Sequence, residues 1–216
     1  MKKLSEFFLI LEVIKKDLKV EARNKAVINQ MLLFALTTTF LFSVSIDVES
    51  FFPQIILLII LFTSISGSSI SILREYDLET IEGLKASPLT NSQLMTAKVL
   101  SNLILVLVLS FFVYPICYAL FNLKGNFLLT FISLAIVVLP ISGVITLLAP
   151  LSASSKGREM LLLAMIFPVI FPVILPATKL IGLAYSGVFD LMNALFIFSY
   201  AGMIYSLSIL LSDQIL

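Results

Sequence analysis

Residues 127–150 read FLLTFISLAIVVLPISGVITLLAP, an apolar run without one Asp, Glu, Lys or Arg. A helix needs about 20 predominantly apolar residues to cross the roughly 30 Å hydrocarbon core of a bilayer, and this run meets that length. It predicts a membrane-spanning helix. Working outward, the stretches 26–46, 52–73, 99–122, 159–179 and 189–211 repeat the pattern, each with a charge-free apolar core. The expectation is an all-α polytopic membrane protein of six spans, with residues 1–216 forming one transmembrane domain.

Composition agrees with lipid as the solvent. Apolar residues make up 60% of the chain and the mean hydropathy is +1.12, beyond the range of an ordinary soluble domain. Fourteen basic residues against thirteen acidic ones leave a net charge of +1, which gives no basis for a nucleic-acid partner. The single cysteine, Cys117, excludes an internal disulfide and reads as a buried, inert thiol. No cleavable signal is expected, because about 25 charged and amphipathic residues precede a first run that is itself long enough to span.

Several function classes are weakened by what the spans lack. Proton relays, ion-coupled carriers and voltage sensors rely on intramembrane charges, which are costly and kept where function needs them. Work done by this chain must therefore draw on an outside motor. No Gly-rich phosphate loop is present, so ATP, if used, binds a different polypeptide. The chain has no His, hence no imidazole for haem iron, and no His, Asp or Cys cluster of the kind that a membrane-embedded enzyme needs. A non-catalytic subunit that binds no cofactor of its own is the expectation.

Orientation follows from the basic residues. Lys2, Lys3, Lys15, Lys16, Lys19, Arg23, Lys25, Arg74, Lys85, Lys98, Lys156 and Arg158 fall on one side of the six spans, and only Lys124 and Lys179 on the other. The positive-inside rule places both termini in the cytoplasm of a cell-membrane protein. Outer loops are short, so the extended hydrophilic surface is cytoplasmic and consists of residues 1–25 and 74–98.

In the first of these segments Leu4, Phe7, Phe8, Leu11, Ile14 and Leu18 form a helical stripe opposite Lys3, Glu6, Glu12, Lys15, Lys16 and Lys19. This predicts an amphipathic helix lying on the membrane. It either anchors to lipid alone or also braces the first and second spans against a neighbouring subunit. The second segment carries a short acidic helix with Leu78, Ile81 and Leu84 on one edge, ended by Pro88. Thr90-Asn91-Ser92-Gln93 then reads as a capping box, with Leu89 and Leu94 placed for a hydrophobic staple. Helix, break and freshly capped helix together predict a cytoplasmic elbow at the foot of spans two and three, or a solvated loop that is merely helical.

The run Arg74-Glu75, Thr80-Ile81-Glu82-Gly83-Leu84, Ser87-Pro88-Leu89 and Ala97-Lys98 resembles the signature of the ABC-2 type exporter permeases. Within that group the chain is similar to the haem exporter protein B family, CcmB, of cytochrome c maturation. The likeness extends over nearly the whole chain. It departs at Glu79, where the motif commonly has Gly, and at Asn102, where several members carry a His-Trp pair nearby.

The resemblance implies a permease subunit whose coupling helix, built from Glu75, Leu78, Glu79, Thr80, Ile81, Glu82, Gly83, Leu84, Ser87 and Pro88, docks in a groove of a cytoplasmic ABC ATPase. It also implies a haem-handling membrane protein and a small single-span protein as partners, with haem handled by the complex. The alternative within the same class is an ABC-2 permease exporting a lipid, drug or glycan. A secondary carrier and a passive assembly scaffold are the remaining readings.

Two features of the spans complete the candidate set. Ser64, Gly67, Ser68 and Ser71 place small residues at steps of three and four in the second span, a close-packing seam toward another helix of this chain, a second copy or a partner subunit. Pro168, Pro172 and Pro176 recur every four residues in the fifth span, each deleting a backbone hydrogen bond. They predict a bent or partly re-entrant segment near the outer leaflet.

Overall fold

The computed structural model describes residues 2–45, 48–77, 89–153, 155 and 157–215, and these form helices joined by short turns, with no strand among them. In chain order they are α1 (Lys2–Arg23), α2 (Lys25–Ser45), α3 (Val48–Asp77), α4 (Asn91–Leu120), α5 (Phe127–Ser152), α6 (Arg158–Tyr185), α7 (Leu191–Leu210) and the single turn α8 (Ser212–Ile215). This is the all-α polytopic class expected from the charge-free runs. Helices α3 to α7 are each long and apolar enough to cross a bilayer, and α1 with α2 forms a sixth candidate bent by 65° at the junction.

α5, the quoted run, is the hub. It is hydrophobic all round, as suits a helix enclosed by others, and packs against α3, α4, α6 and α7. Leu134, Val138, Ile141, Val144 and Ile145 are fully enclosed. Four of its five hydroxyls are accommodated locally: Thr130 and Thr146 donate to carbonyls four residues back, Ser142 and Ser152 to carbonyls three back, whereas the buried Ser133 hydroxyl has no hydrogen-bond partner among the described residues. With their polarity satisfied inside the helix, those four short side chains let neighbouring backbones approach.

Helix bounds depart from the apolar runs where local chemistry extends a helix. α4 begins at Asn91 rather than near 99, because the capping box starts the helix in polar residues ahead of the apolar stretch. α6 continues through Lys179 to Tyr185, since one exposed cation at the end of a span does not interrupt the backbone ladder.

Of the bent or partly re-entrant segment expected at Pro168, Pro172 and Pro176, the re-entrant form is absent. α6 is one continuous helix with all three prolines inside it. Pro168 and Pro172 are exposed and Pro176 half-buried, while Ile166, Ile170, Val173, Ala177 and Leu180 are buried on the other side. The four-residue spacing gathers the lost donors on the outward face, and the inward face keeps its packing against α5 and α7.

Candidate functional site

The segment expected to form the coupling elbow lies between α3 and α4. Leu78, Glu79, Thr80, Ile81, Glu82, Gly83, Leu84, Ser87 and Pro88 lie outside the described residues, and Glu75 falls in the last turns of α3. α3 runs unbroken to Asp77, and α4 starts anew at Asn91. Both helices therefore pass from that segment into membrane spans without a joint.

The start of α4 is held on three sides. Thr90 Oγ1 accepts from the Gln93 backbone N–H at 3.4 Å, and Gln93 Oε1 accepts from the Thr90 N–H at 3.1 Å. This is the reciprocal box that the sequence predicts. Leu89 and Leu94, the staple pair, are buried together with Ala97 and with Val13 and Ile14 of α1 in a small core of their own. Below them Lys98 Nζ lies 2.9 Å from the Asp17 carboxylate, and the Ser101 hydroxyl donates to the same carboxylate at 3.4 Å. From the other terminus, Asp213 of α8 accepts from the Asn91 side-chain amide at 3.1 Å. The first and last helices thus converge on the elbow end of the bundle.

This placement adds a contact within the chain to the reading of α1. Of its expected stripe, Ile14 is buried against α4 and Leu18 half-buried, whereas Phe8 and Leu11 stay exposed; the side chains of Leu4 and Phe7 lie outside the described ones. Val13, outside that stripe, joins Ile14 in the contact, so α1 packs on the third span of its own chain.

A buried polar network that sequence reading missed links α4 to the hub. The Asn102 amide donates to the Ser142 carbonyl at 3.1 Å and to Thr146 Oγ1 at 2.7 Å. On the far side of α5 the Tyr205 hydroxyl donates to the Leu139 carbonyl at 2.6 Å and lies 3.1 Å from the Ser142 hydroxyl. Gly143 makes this crossing tight, since a Cβ there would stand 2.5 Å from the Tyr205 ring. The available signal was one amide, Asn102, in an otherwise apolar run.

At the opposite end the bundle is closed. Tyr185 donates to the Glu49 carboxylate at 3.1 Å and its carbonyl accepts from the Asn126 N–H at 2.9 Å. Its ring packs so closely on Gly125 that a Cβ would come within 2.3 Å. Tyr114, Tyr118 and Phe127 fill the space behind it, with centroids 4.9 to 6.0 Å apart. Asn122, at φ 49°, turns the chain between α4 and α5 in the left-handed region that Asn tolerates.

In the small-residue seam, Ser64 is fully buried within this chain and Gly67 lies under Met31 of α2, where a Cβ would meet the methionine tip at 2.0 Å. Ser68 and Ser71 belong to the same helix. Cys117 is buried, 3.3 Å from the Thr39 hydroxyl. Among the described residues no three Cys, Asp or Glu side chains gather as a metal site.

The family model described as CcmB protein matches residues 8–211. The chain belongs to the CcmB protein family. No individual curated protein matches it. Membership makes it a multi-pass membrane permease subunit of the ABC-type haem export system of cytochrome c maturation. The CcmB match takes in α1 from residue 8 onward, α3, α4 and the hub, so the gripped start of α4 lies within the family's extent rather than on an appended segment.

Proposed function

We propose that this CcmB-family chain converts ATP hydrolysis in a separate cytoplasmic ABC ATPase into motion of α3 and α4, for haem delivery or release of a haem-loaded chaperone on the outer face. The observation that carries this reading is the clamped start of α4. Capping box, α1 core, Asp17–Lys98 pair and Asn91–Asp213 contact together leave the elbow's downstream arm no slack, and Asn102 ties that arm to the hub. A push at residues 78–88 is then delivered to α5 instead of being absorbed by a flexible link. The excess of Lys and Arg on the elbow side supports placing both termini in the cytoplasm, with the chain in the cell membrane. A haem-handling membrane protein and a small single-span protein complete the complex.

The test is copurification with the ATPase. Glu82→Lys reverses a charge in the proposed docking segment and Gly83→Pro puts a helix-breaking residue there, so both are expected to lose the ATPase and its stimulation. Unchanged association and activity in both variants overturns the reading.

A further inference from the structure

A cleft of about 490 Å³ opens between the α1–α2 junction and α4, lined among others by Leu18, Ile28, Met31, Leu105, Val108 and Phe112. Its lining is apolar except at one end, where Glu21 closes α1. Val108 and Phe112, at the other end, are 50% and 56% exposed, so the cleft opens sideways at the depth of the spans. Met31 and Leu109 form its buried floor.

Three occupants compete for this space. Water is disfavoured, because a held water needs about 2–4 polar partners and the lining offers one polar side chain, Glu21 at one end. A partner's span does not fit, since 490 Å³ is little more than one turn of a helix roughly 10 Å wide. The volume does suit a flexible apolar ligand, within the ~300–1,000 Å³ of ordinary ligand pockets. The medium around α4 is itself lipid, and Arg23 and Lys25, both exposed, flank the junction whose neighbours Ala22 and Ile28 line the mouth. Two cations above an apolar slot match a phosphate above an acyl chain.

We propose that this cleft holds one phospholipid of the leaflet at the elbow end, its acyl chain along Met31, Leu105 and Leu109 and its phosphate at Arg23 and Lys25. The lipid fills the wedge behind the α1 brace and so belongs to the structure that fixes α4. Lipid binding in the cleft does not require that the ATPase dock at residues 78–88.

The chain contains no Trp, so one introduced Trp reports its own surroundings. Phe112→Trp places it in the cleft, and Phe198→Trp places it on an exposed face of α7 outside the cleft. The purified protein in detergent is titrated with phospholipid carrying brominated acyl chains, a contact quencher. At one equivalent, the Trp at 112 is expected to lose about half its emission or more and the Trp at 198 almost none. Adding Arg23→Gln and Lys25→Gln to Phe112→Trp is expected to raise the lipid needed several-fold. Equal quenching at the two positions, none at 112, or a lipid requirement unmoved by the charge removal overturns the proposal. So does photocrosslinking from residue 108 that captures another polypeptide instead of phospholipid.

Discussion

The Lys98 ammonium stands 2.9 Å from the Asp17 carboxylate, with the two side chains only 13% and 11% exposed, and this pair ties the interfacial helix α1 to the second turn of α4. Truncating one member of a buried pair costs up to about 3–5 kcal/mol, less where water reaches the site. Asp17→Asn is therefore expected to destabilise the fold by about 2 kcal/mol and to expose α1 to proteolysis. Lys98→Met should cost less, because Lys16 remains 3.0 Å from Asp17. Denaturant unfolding in detergent with limited proteolysis checks both, and equal, negligible losses count against the clamp.

Three glycines rank by what a methyl group would strike. At Gly125 the added Cβ meets the Tyr185 ring at 2.3 Å and its carbonyl oxygen at 2.6 Å, and backbone cannot step aside. At Gly143 it meets the Tyr205 ring at 2.5 Å, held by its bond to Leu139. At Gly67 it meets Met31 along its length, the methyl at 2.0 Å and Cγ at 2.8 Å, and an unbranched thioether repacks more readily than a ring or backbone. Overpacking costs about 1–3 kcal/mol, so Gly125→Ala should sit at the top of that range, Gly143→Ala in the middle and Gly67→Ala at the bottom. Thermal unfolding of the three variants tests the order.

Local and hydropathic signals were legible in the sequence. The charge-free runs mark the spans, and Thr90 with Gln93 marks the start of α4 because a capping box depends on residues three apart. Face and partner were not legible. Pro168, Pro172 and Pro176 declare lost donors, yet the unbroken helix follows from the packing of Ile170 and Val173 opposite them. Val13 was passed over because only contact with Leu94 and Ala97 makes it a buried residue. Asn102 finds Thr146 across 44 positions, a relation that no window of sequence contains.

Asn102→Leu removes the donor that bridges α4 to α5. Interhelical hydrogen bonds in membranes average about 0.6 kcal/mol and reach about 1.7 kcal/mol. Thr146 keeps its own bond to the Ser142 carbonyl, so no orphaned hydroxyl adds to the loss. The expected destabilisation is about 1 kcal/mol. A double-mutant cycle with Thr146→Val should recover a coupling of similar size, and additive effects would show that the amide and hydroxyl do not interact.

Acid should weaken the start of α7. Asp190 accepts from the Asn193 side-chain amide at 2.6 Å and from the backbone N–H groups of Met192 and Asn193 at 3.1 and 3.2 Å. These bonds, the Asn193 side chain first, hold its carboxyl below the ordinary value of 3.8. A pKa depressed in the folded state gives stability that is complete above the unfolded value and lost as pH falls through the folded one. Asp190→Asn keeps a capping oxygen without a titrating charge, so its unfolding temperature should vary less than wild type between about pH 6 and pH 3. Parallel curves would mean that Asp190 contributes nothing to the acid limb.

Under the proposed coupling, transmission through the elbow is separable from docking onto it. Thr90→Ala with Gln93→Ala removes the reciprocal bonds that start α4, a loss of about 1 kcal/mol, while leaving residues 78–88 untouched. The double variant should still copurify with the ATPase, yet the nucleotide-dependent displacement of α4 should shrink. Spin labels on Leu100→Cys and Leu210→Cys, both exposed positions, read that displacement as a change in distance, and the buried native thiol Cys117 leaves the labelling selective. An undiminished change would show that α4 moves without its cap. Loss of copurification would instead put Thr90 and Gln93 within the docking surface, where the box serves contact and not transmission.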